Sequence, residues 1–148
     1  MRFGEFRIGD TFHASCTTTE MDLDAYMQFA RVKNPFLAEE DKKRAGRRVI
    51  PGRALLAKIE GEFTRLKEIY GNHIVLVGTD GDPGWGGRST RFLEPCHTGD
   101  RLMIAYTISD VVDVDDRYGR IVVDCMVTDS KGSPVLISKR NIYRMKKV

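Results

Sequence analysis

The spacing of apolar residues predicts one long helix in the first half of the chain. From Gly52 onward, large apolar side chains recur every three or four positions, and Gly71 follows the last of them. This spacing places the side chains on one face of a helix, and a glycine is a common helix stop. About twenty residues would form a helix roughly 30 Å long. Its apolar positions are Leu56, Ile59, Phe63, Leu66 and Tyr70.

A shorter helix is predicted upstream of the long one. Apolar residues again recur at helical spacing, and the residue types of a capping box precede them. We expect this helix to end near Lys33, because Asn34-Pro35 disfavours helical backbone. A charged loop would then lead to the long helix. The apolar positions are Leu23, Met27 and Ala30, and the predicted capping box consists of Thr17 and Glu20.

Beyond the long helix, the apolar residues alternate with polar ones, which is typical of strands. Turn-forming residues separate the alternating segments, and one more strand is predicted before the first helix. A long helix followed by antiparallel strands predicts an α+β domain in which the sheet wraps around the helix. The predicted strands are 11–17, 73–77, 102–108, 121–127 and 135–143, and the predicted turns are Gly99-Asp100, Tyr118-Gly119 and 129–132.

Length and charge limit the classes of function. The chain has 148 residues, enough for one domain with a real core, and its 24 Lys and Arg residues exceed its 21 Asp and Glu residues only slightly. So small an excess predicts neither nucleic-acid nor membrane binding. A local basic cluster, Lys42-Lys43-Arg44 with Arg47-Arg48, has two interpretations: a solvated loop face, or a contact for a phosphate or an acidic carrier.

The cysteines and the N-terminus indicate the compartment. Cys16, Cys96 and Cys125 are far apart in sequence, which predicts reduced thiols rather than a disulfide or zinc framework. Cys125 lies in an apolar alternation typical of a core strand. The N-terminal residues lack the apolar stretch of a secretion signal, and no apolar run could span a bilayer. We therefore expect a cytoplasmic protein without a metal or another cofactor.

The glycine-rich segment 78–88 contains none of the common phosphate-binding motifs. Neither G-x-x-x-x-G-K-[ST] nor a G-x-G-x-x-G that opens a helix occurs there. The preferred interpretation is a mobile loop, with Trp85 as its anchor or as part of a ligand lid.

Several segments, in this order, resemble the MaoC-like hydratase/dehydratase family of hot-dog proteins. Asn34-Pro35 follows the first predicted helix, Val49-Ile50-Pro51-Gly52 opens the long one, and Phe92-Leu93-Glu94-Pro95 precedes Gly99-Asp100. The resemblance covers nearly the whole chain and implies one hot-dog domain, 1–148, with an antiparallel sheet wrapped around a long central helix. Since a second subunit usually covers the edge of such a sheet, a homodimer or a heterodimer with a paralogous hot-dog subunit is expected.

The resemblance also implies a site for acyl thioesters of coenzyme A or acyl carrier protein. In the family, the backbone amide at the Gly52 position polarises the thioester carbonyl, and Asn34 would orient its loop or donate to the ligand. The family has an Asp two residues before this Asn and a His two residues after the Pro, and these side chains hold and activate water. Here the two positions are Val32 and Leu37. Neither side chain can carry a proton, so the catalytic residues are replaced or absent.

Two groups are candidates to replace the missing acid/base pair. His97 lies in the turn before Gly99, and an imidazole titrates near neutrality, although a histidine in an exposed turn is usually only solvated. Glu39 is closest to the place where the family often has a carboxylate. A charged loop or helix start explains Glu39-Glu40-Asp41 without catalysis.

Three functions are compatible with these residues. The first is a hydratase or dehydratase with altered acid/base groups, and the second is a non-catalytic subunit that completes the site of an active paralogue. The third is a hot-dog thioesterase that uses Glu60 or Glu62, since other hot-dog families have a catalytic carboxylate on the long helix. For Glu62, pairing with Lys58 on the helix surface is an explanation without catalysis.

Overall fold

The computed structural model describes residues 1–43 and 46–147, with side chains for 1–39 and 46–147. The helices are α1 (Glu20–Ala30), α2 (Pro35–Lys43) and α3 (Gly52–Arg65). The strands are β1 (Thr11–Thr17), β2 (Ile74–Thr79), β3 (Thr90–Phe92), β4 (Arg101–Asp113), β5 (Tyr118–Thr128) and β6 (Pro134–Lys146). All six strands form one antiparallel sheet in the order β1-β4-β5-β6-β2, and β3 also pairs with β6. The predicted α+β architecture is confirmed.

The core forms where α3 packs against one face of the sheet. Leu55, Ile59 and Phe63 are the buried residues of α3, spaced by four, and they join the buried alternate residues of the strands. The Phe63 ring lies 5.2 Å from the ring centroid of Tyr106 in β4 and 4.6 Å from that of Tyr143 in β6. The buried Tyr106 hydroxyl donates to the Ile59 carbonyl over 2.6 Å, so its polar atom is satisfied inside the core.

Helix α3 is shorter than the apolar spacing predicts. It contains 14 residues, and Leu66 after it adopts extended backbone with ψ at 138°. The chain then continues in tight turns, in which the amides of Ile69 and Tyr70 donate to the Leu66 carbonyl. Leu66 and Ile69 are buried, whereas Tyr70 is 78% exposed. The spacing of apolar residues predicted too long a helix, because the turns after Arg65 also place apolar residues three positions apart.

Helix α1 begins at a different capping box from the predicted one. The Thr19 hydroxyl accepts from the Asp22 amide at 3.1 Å, and the Asp22 carboxylate accepts from the Thr19 amide at 3.0 Å. The predicted pair of Thr17 and Glu20 is wrong because Thr17 is still the last residue of β1. Two threonines at the right distance from an acid made the choice ambiguous from sequence.

The segment after α1 is helical, so the predicted loop is wrong. Helix α1 ends at Ala30, before the predicted Lys33, because Arg31 adopts left-handed backbone with φ at 55°. The Asn34 side chain then accepts from the Phe36 amide at 3.0 Å, and the Asn-Pro pair starts α2. The side chains of Glu40, Asp41 and the Lys42-Lys43-Arg44 part of the basic cluster lie outside the described residues.

The five predicted strands are confirmed, four of them with shifted ends, and β3 was not predicted. The predicted turn at Tyr118-Gly119 is wrong, because both residues lie in β5 and the reversal occurs at 114–117. There the Asp115 carboxylate accepts from the amides of Arg117 and Tyr118 at 2.8 Å. Gly119 is needed for packing, since a Cβ there would lie 2.1 Å from the Phe3 ring.

The glycine-rich segment contributes structure to the sheet. It contains a short 3₁₀ turn, Pro83–Trp85, and leads into β3. The Trp85 ring lies 4.5 Å from the Arg91 guanidinium and 4.4 Å from the Lys139 ammonium, which supports its predicted part as an anchor.

The three cysteines are free, as the sequence predicted, and all three are buried, whereas burial was predicted only for Cys125. None of the helices in the described parts of the chain combines the length and the apolar character needed to cross a bilayer.

Candidate active site at the start of helix α3

A cavity of about 470 Å³ opens at the N-terminal end of α3, a size typical of small-molecule sites. One wall is the start of the helix, and the other is the segment that follows β3. Backbone hydrogen bonds hold the two walls together: the Ile50 amide donates to the Cys96 carbonyl at 2.8 Å. The lining residues are Ile50, Gly52, Arg53, Leu55, Phe92, Leu93, Glu94, Pro95 and Cys96.

Gly52 places the N-terminal end of α3 at this cavity. Gly52 is the first residue of α3, and the preceding Pro51 has no polar side chain with which to cap the helix. Amides in the first turn of a helix have no intrahelical acceptor and carry partial positive charge. The position of Gly52 at the helix start is therefore as the sequence predicted, and the amide is suited to a carbonyl oxygen.

Packing against Phe92 is a second reason why position 52 requires a glycine. A Cβ at Gly52 would lie 2.6 Å from the tip of the Phe92 ring, which is closer than van der Waals contact allows. Phe92 itself remains half exposed on the cavity side. The absence of a side chain at this position thus has a structural cause that does not depend on a ligand.

The residues of the predicted Asn-Pro motif do not belong to the described lining. Val32 is partly buried, and Leu37 is buried at 8% exposure. Asn34 is exposed, and its side-chain oxygen is occupied by the Phe36 amide at the start of α2. Of the two predicted substrate-binding residues, only Gly52 lines the cavity.

His97 is buried, so its predicted place in an exposed turn is wrong. Its side chain is 8% exposed, and its Nδ1 lies 3.7 Å from an Asp100 carboxylate oxygen. The Asp100 carboxylate also accepts from the His97 amide at 2.9 Å and pairs with Arg47. The turn packs inward because the Gly99 amide donates to the Thr18 carbonyl. His97 is outside the described lining, and Glu39 is exposed on α2.

A polar cluster ties this turn to α1 and uses part of the predicted basic cluster. Arg48 pairs with Glu20 and Asp24 at 2.6 Å each, and the Thr98 hydroxyl donates to Glu20. The Thr98 hydroxyl and the Arg48 guanidinium lower the pKa of Glu20 below its ordinary value. Arg47 and Arg48 therefore both make contacts within the chain, and Arg47 also remains exposed to solvent.

Glu94 and Arg53 are the charged residues of the described lining, and the sequence predicted neither as a site residue. In the sequence, Glu94 is only one residue of the segment 92–95 that resembles the family, and its neighbours contain no motif of a functional site. Cys96 also lines the cavity, but burial raises the pKa of its thiol to about 11, so the thiol stays protonated near neutrality. Glu94 is thus the carboxylate of the described lining.

The two glutamates of α3 face different surroundings. Glu60 lines a second cavity, between α3 and the sheet, together with Arg53. Glu62 lies on the side of β1, where its charge adds to burial in raising the pKa of Cys16. The structure pairs Lys58 with Asp22 at 3.3 Å, so the predicted pairing of Lys58 with Glu62 does not explain Glu62.

Among the described residues, no group of three or more His, Cys, Asp or Glu side chains is arranged to hold a metal ion.

An antiparallel sheet packed on one buried helix, with a cavity at the helix N-terminus, defines the hot-dog class. No protein-family model and no curated protein sequence matches this chain. Solved structures do match it over almost its entire length. A monoamine oxidase regulatory protein from Archaeoglobus fulgidus has a TM-score of 0.77 and 18% identity, over 100% of this chain and 95% of that one.

Two further matches carry the names of dehydratases. A MaoC-like dehydratase from Rhodospirillum rubrum has a TM-score of 0.69 and 15% identity, over 100% of this chain and 99% of that one. The HadBC (3R)-hydroxyacyl-ACP dehydratase complex from Mycobacterium tuberculosis has a TM-score of 0.60 and 19% identity, over 94% of this chain and 95% of that one. The chain therefore has the hot-dog fold of the MaoC-like dehydratases, as the sequence predicted.

Proposed function

We propose that this chain binds an acyl thioester at the start of α3 and acts as a hydratase or dehydratase in which Glu94 replaces the missing acid/base pair. The observation that carries the proposal is the Gly52 amide, a helix N-terminal donor at a cavity of suitable size. The likeness in fold to the MaoC-like dehydratase supports the reaction class. The thioester would be carried by coenzyme A or acyl carrier protein, as in the (3R)-hydroxyacyl-ACP dehydratase complex.

The chemistry requires one group that moves a proton and one that stabilises charge. In hydration, the Glu94 carboxylate takes a proton from water while the water oxygen bonds to C3 of the enoyl group. The electrons of the C2–C3 double bond move onto the thioester oxygen, where the Gly52 N–H stabilises the developing charge. The Glu94 carboxyl group then returns the proton to C2. Dehydration is the reverse sequence.

The binding step is tested by two variants that differ chiefly in one amide hydrogen. Gly52→Pro and Gly52→Ala are each made with Phe92→Ala, because the Phe92 ring otherwise occupies the space of the new Cβ. Proline suits the first position of a helix, and Pro51 has the extended backbone (ψ 143°) that a following proline requires.

We expect the proline variant to bind a non-hydrolysable acyl-CoA analogue about fivefold more weakly than the alanine variant, since one hydrogen bond contributes ~1 kcal/mol. Calorimetric titration measures the affinity, and thermal melts confirm that both variants fold. Equal affinities would mean that the ligand does not use this amide.

The catalytic step is tested by hydration of crotonyl-CoA. We expect the purified protein to be at least about 100-fold slower than a family member with the Asp and the His, because acid/base groups contribute about 10²- to 10⁴-fold each. Glu94→Gln should reduce the remaining rate by about 100-fold. Glu39→Gln, an exposed change on α2, is the matched control and should leave the rate unchanged. A Glu94→Gln rate equal to that of the parent would remove Glu94 from the mechanism.

The second candidate is a non-catalytic subunit of a heteromeric dehydratase. Val32 and Leu37 favour it, because apolar side chains at both positions leave proton transfer to another chain. The likeness in fold to a dehydratase complex gives the precedent. This candidate predicts no turnover by the chain alone, and turnover when it is co-expressed with a paralogue that has the Asp and the His. Turnover by the chain alone that depends on Glu94 would exclude it.

The third candidate is a thioesterase that uses Glu60. The observation in its favour is that Glu60 lines a cavity next to α3, whereas Glu62 lies toward β1. Release of free coenzyme A from acyl-CoA would measure the hydrolysis. Glu60→Gln should abolish it and Glu62→Gln should not. Equal rates in the two variants would exclude this candidate.

A further inference from the structure

We propose that the cavity between α3 and the sheet, named here the acyl groove, binds the acyl group and selects chains that carry a hydroxyl or carbonyl. The inference rests on the proposed thioester site at Gly52 and adds a substrate class to it. The acyl groove has a volume of about 370 Å³. Its lining residues are Arg53, Leu56, Ala57, Ile59, Glu60, Leu76, Thr79, Thr90, Cys125, Ser138, Asn141 and Tyr143.

The acyl groove begins beside the proposed carbonyl site and follows the helix. Arg53 lines both cavities, so the groove starts one residue from Gly52. From Arg53 to Glu60 the helix advances by seven residues, or about 10 Å. Leu56 and Ile59 on the helix, with Leu76 on β2, form apolar walls. This shape suits an acyl chain that lies along α3 with its thioester at the helix start.

The floor of the acyl groove contains three polar side chains from β3 and β6. The Ser138 hydroxyl is 3.2 Å from the Thr90 hydroxyl, and it donates to the Asn141 side-chain oxygen at 3.3 Å. The Asn141 amide group donates to the Val123 carbonyl at 3.1 Å. Ser138 is buried, and all three polar residues line the groove.

The three polar side chains arise at an irregularity of the sheet and keep capacity for a ligand. The β5–β6 register shifts between Val123 and Cys125, and Asn141 satisfies the Val123 carbonyl at this shift. The Ser138 hydroxyl also accepts from the Asn141 amide group at 3.1 Å, whereas the Thr90 hydroxyl oxygen and the Asn141 amide oxygen each keep a lone pair beyond their internal bonds. A plain hydrocarbon chain would exclude water from this remaining capacity without replacing the lost hydrogen bonds, which is unfavourable. A chain with a hydroxyl or carbonyl would form hydrogen bonds with them.

The position of these side chains predicts where the polar group lies on the acyl chain. Thr90 is two residues before Phe92, whose ring contacts Gly52. Two strand residues span about 7 Å. The selected substituent should therefore lie toward the middle of the acyl chain rather than next to the thioester carbonyl.

The test compares two non-hydrolysable acyl-CoA analogues of equal length, one plain and one with a mid-chain hydroxyl. We expect the parent protein to bind the hydroxylated analogue about fivefold more tightly. Thr90→Val and Ser138→Ala should each remove most of this preference by weakening the hydroxylated analogue, while the plain analogue binds equally or more tightly. Thr107→Val, the same change on β4 outside the groove, is the control and should keep the preference. A variant that is only destabilised would instead bind both analogues more weakly.

The outcomes separate this inference from the proposed function. If both analogues bind equally to the parent protein, the thioester site stands and the inference is overturned. If neither analogue binds, the thioester site fails, and free hydroxylated and plain fatty acids are then titrated by NMR. Amide shifts at Thr90, Ser138 and Asn141 with the hydroxylated acid alone would support the groove, and any other result would overturn it.

Discussion

Glu20 connects three segments that are distant in sequence. It accepts from the Thr98 hydroxyl and pairs with Arg48, so it joins α1 to the turn after Cys96 and to the segment before α3. These contacts lower its pKa below the ordinary 4.5. A lowered pKa in the folded state means that the carboxylate contributes stability above pH 4.5 and loses it as the pH falls through the folded value.

We therefore expect Glu20→Gln to lower the melting temperature at pH 7 and to have a smaller effect in acid well below pH 4.5, where the parent carboxylate loses its charge as the pH falls through its lowered pKa. Glu39→Gln, exposed on α2, should have little effect at either pH. Thermal melts at the two pH values measure the difference. A Glu20→Gln effect that is the same at both would show that the charge is not the cause.

The residue scale also shows why part of the site escaped prediction. His97 has the sequence context of an exposed turn, and only its hydrogen bonds with Asp100 and the inward packing of Gly99 make it buried. Glu94 became a candidate only after the fold placed it beside Gly52. Local sequence carries no information on which distant element will pack against a turn.

At the scale of elements, the beginning of α1 is decided by one hydrogen-bonded box. The sequence has Thr17 and Thr19 within three residues of a suitable acid, and only Thr19 has the backbone that starts a helix. The Thr19 hydroxyl satisfies the Asp22 amide.

We expect Thr19→Ala to reduce the free energy of unfolding by ~1 kcal/mol, the usual effect of removing such a cap. Thr17→Ala is the matched control, because Thr17 is an exposed strand residue, and it should change the free energy by less than about 0.5 kcal/mol. Urea denaturation measures both variants. A larger effect for Thr17→Ala than for Thr19→Ala would contradict this assignment of the cap.

The long helix illustrates what periodicity can and cannot predict. Its start at Gly52 and its buried residues Ile59 and Phe63 follow from the spacing of apolar residues. Its end does not, because the turns after Arg65 continue to bury Leu66 and Ile69. Burial alone does not distinguish a helix from a series of turns that pack against the same core.

At the scale of the whole molecule, β2 is the edge that a second subunit would cover. The sheet order ends at β2, and Val75 and Val77 on this strand are 49% and 52% exposed. Apolar residues on an edge strand favour pairing with another strand. The expected assembly is a dimer of this chain or a heterodimer with a paralogue, formed through β2.

We expect the protein to be a dimer in dilute solution and the double change Val75→Lys and Val77→Lys to yield a monomer, because charges on an edge strand oppose pairing. Val114→Lys places one such charge on an exposed valine between β4 and β5, and this control should remain dimeric. Light scattering after size-exclusion chromatography measures the mass. A monomeric parent would contradict the expected dimer, and a dimer that survives the double change would place the interface elsewhere.

The sequence by itself determined the α+β class, the five longer strands and the entry of the chain into α3 at Gly52. These features depend on local periodicity and on glycine and proline conformations, which neighbouring residues specify. The tertiary structure alone decided that Phe92 packs on Gly52, that Glu94 lines the same cavity, and that Thr90 and Ser138 share the floor of a groove. Those pairs lie about 40 residues or more apart in sequence, and only the register of β3 on β6 and the packing of α3 bring them together.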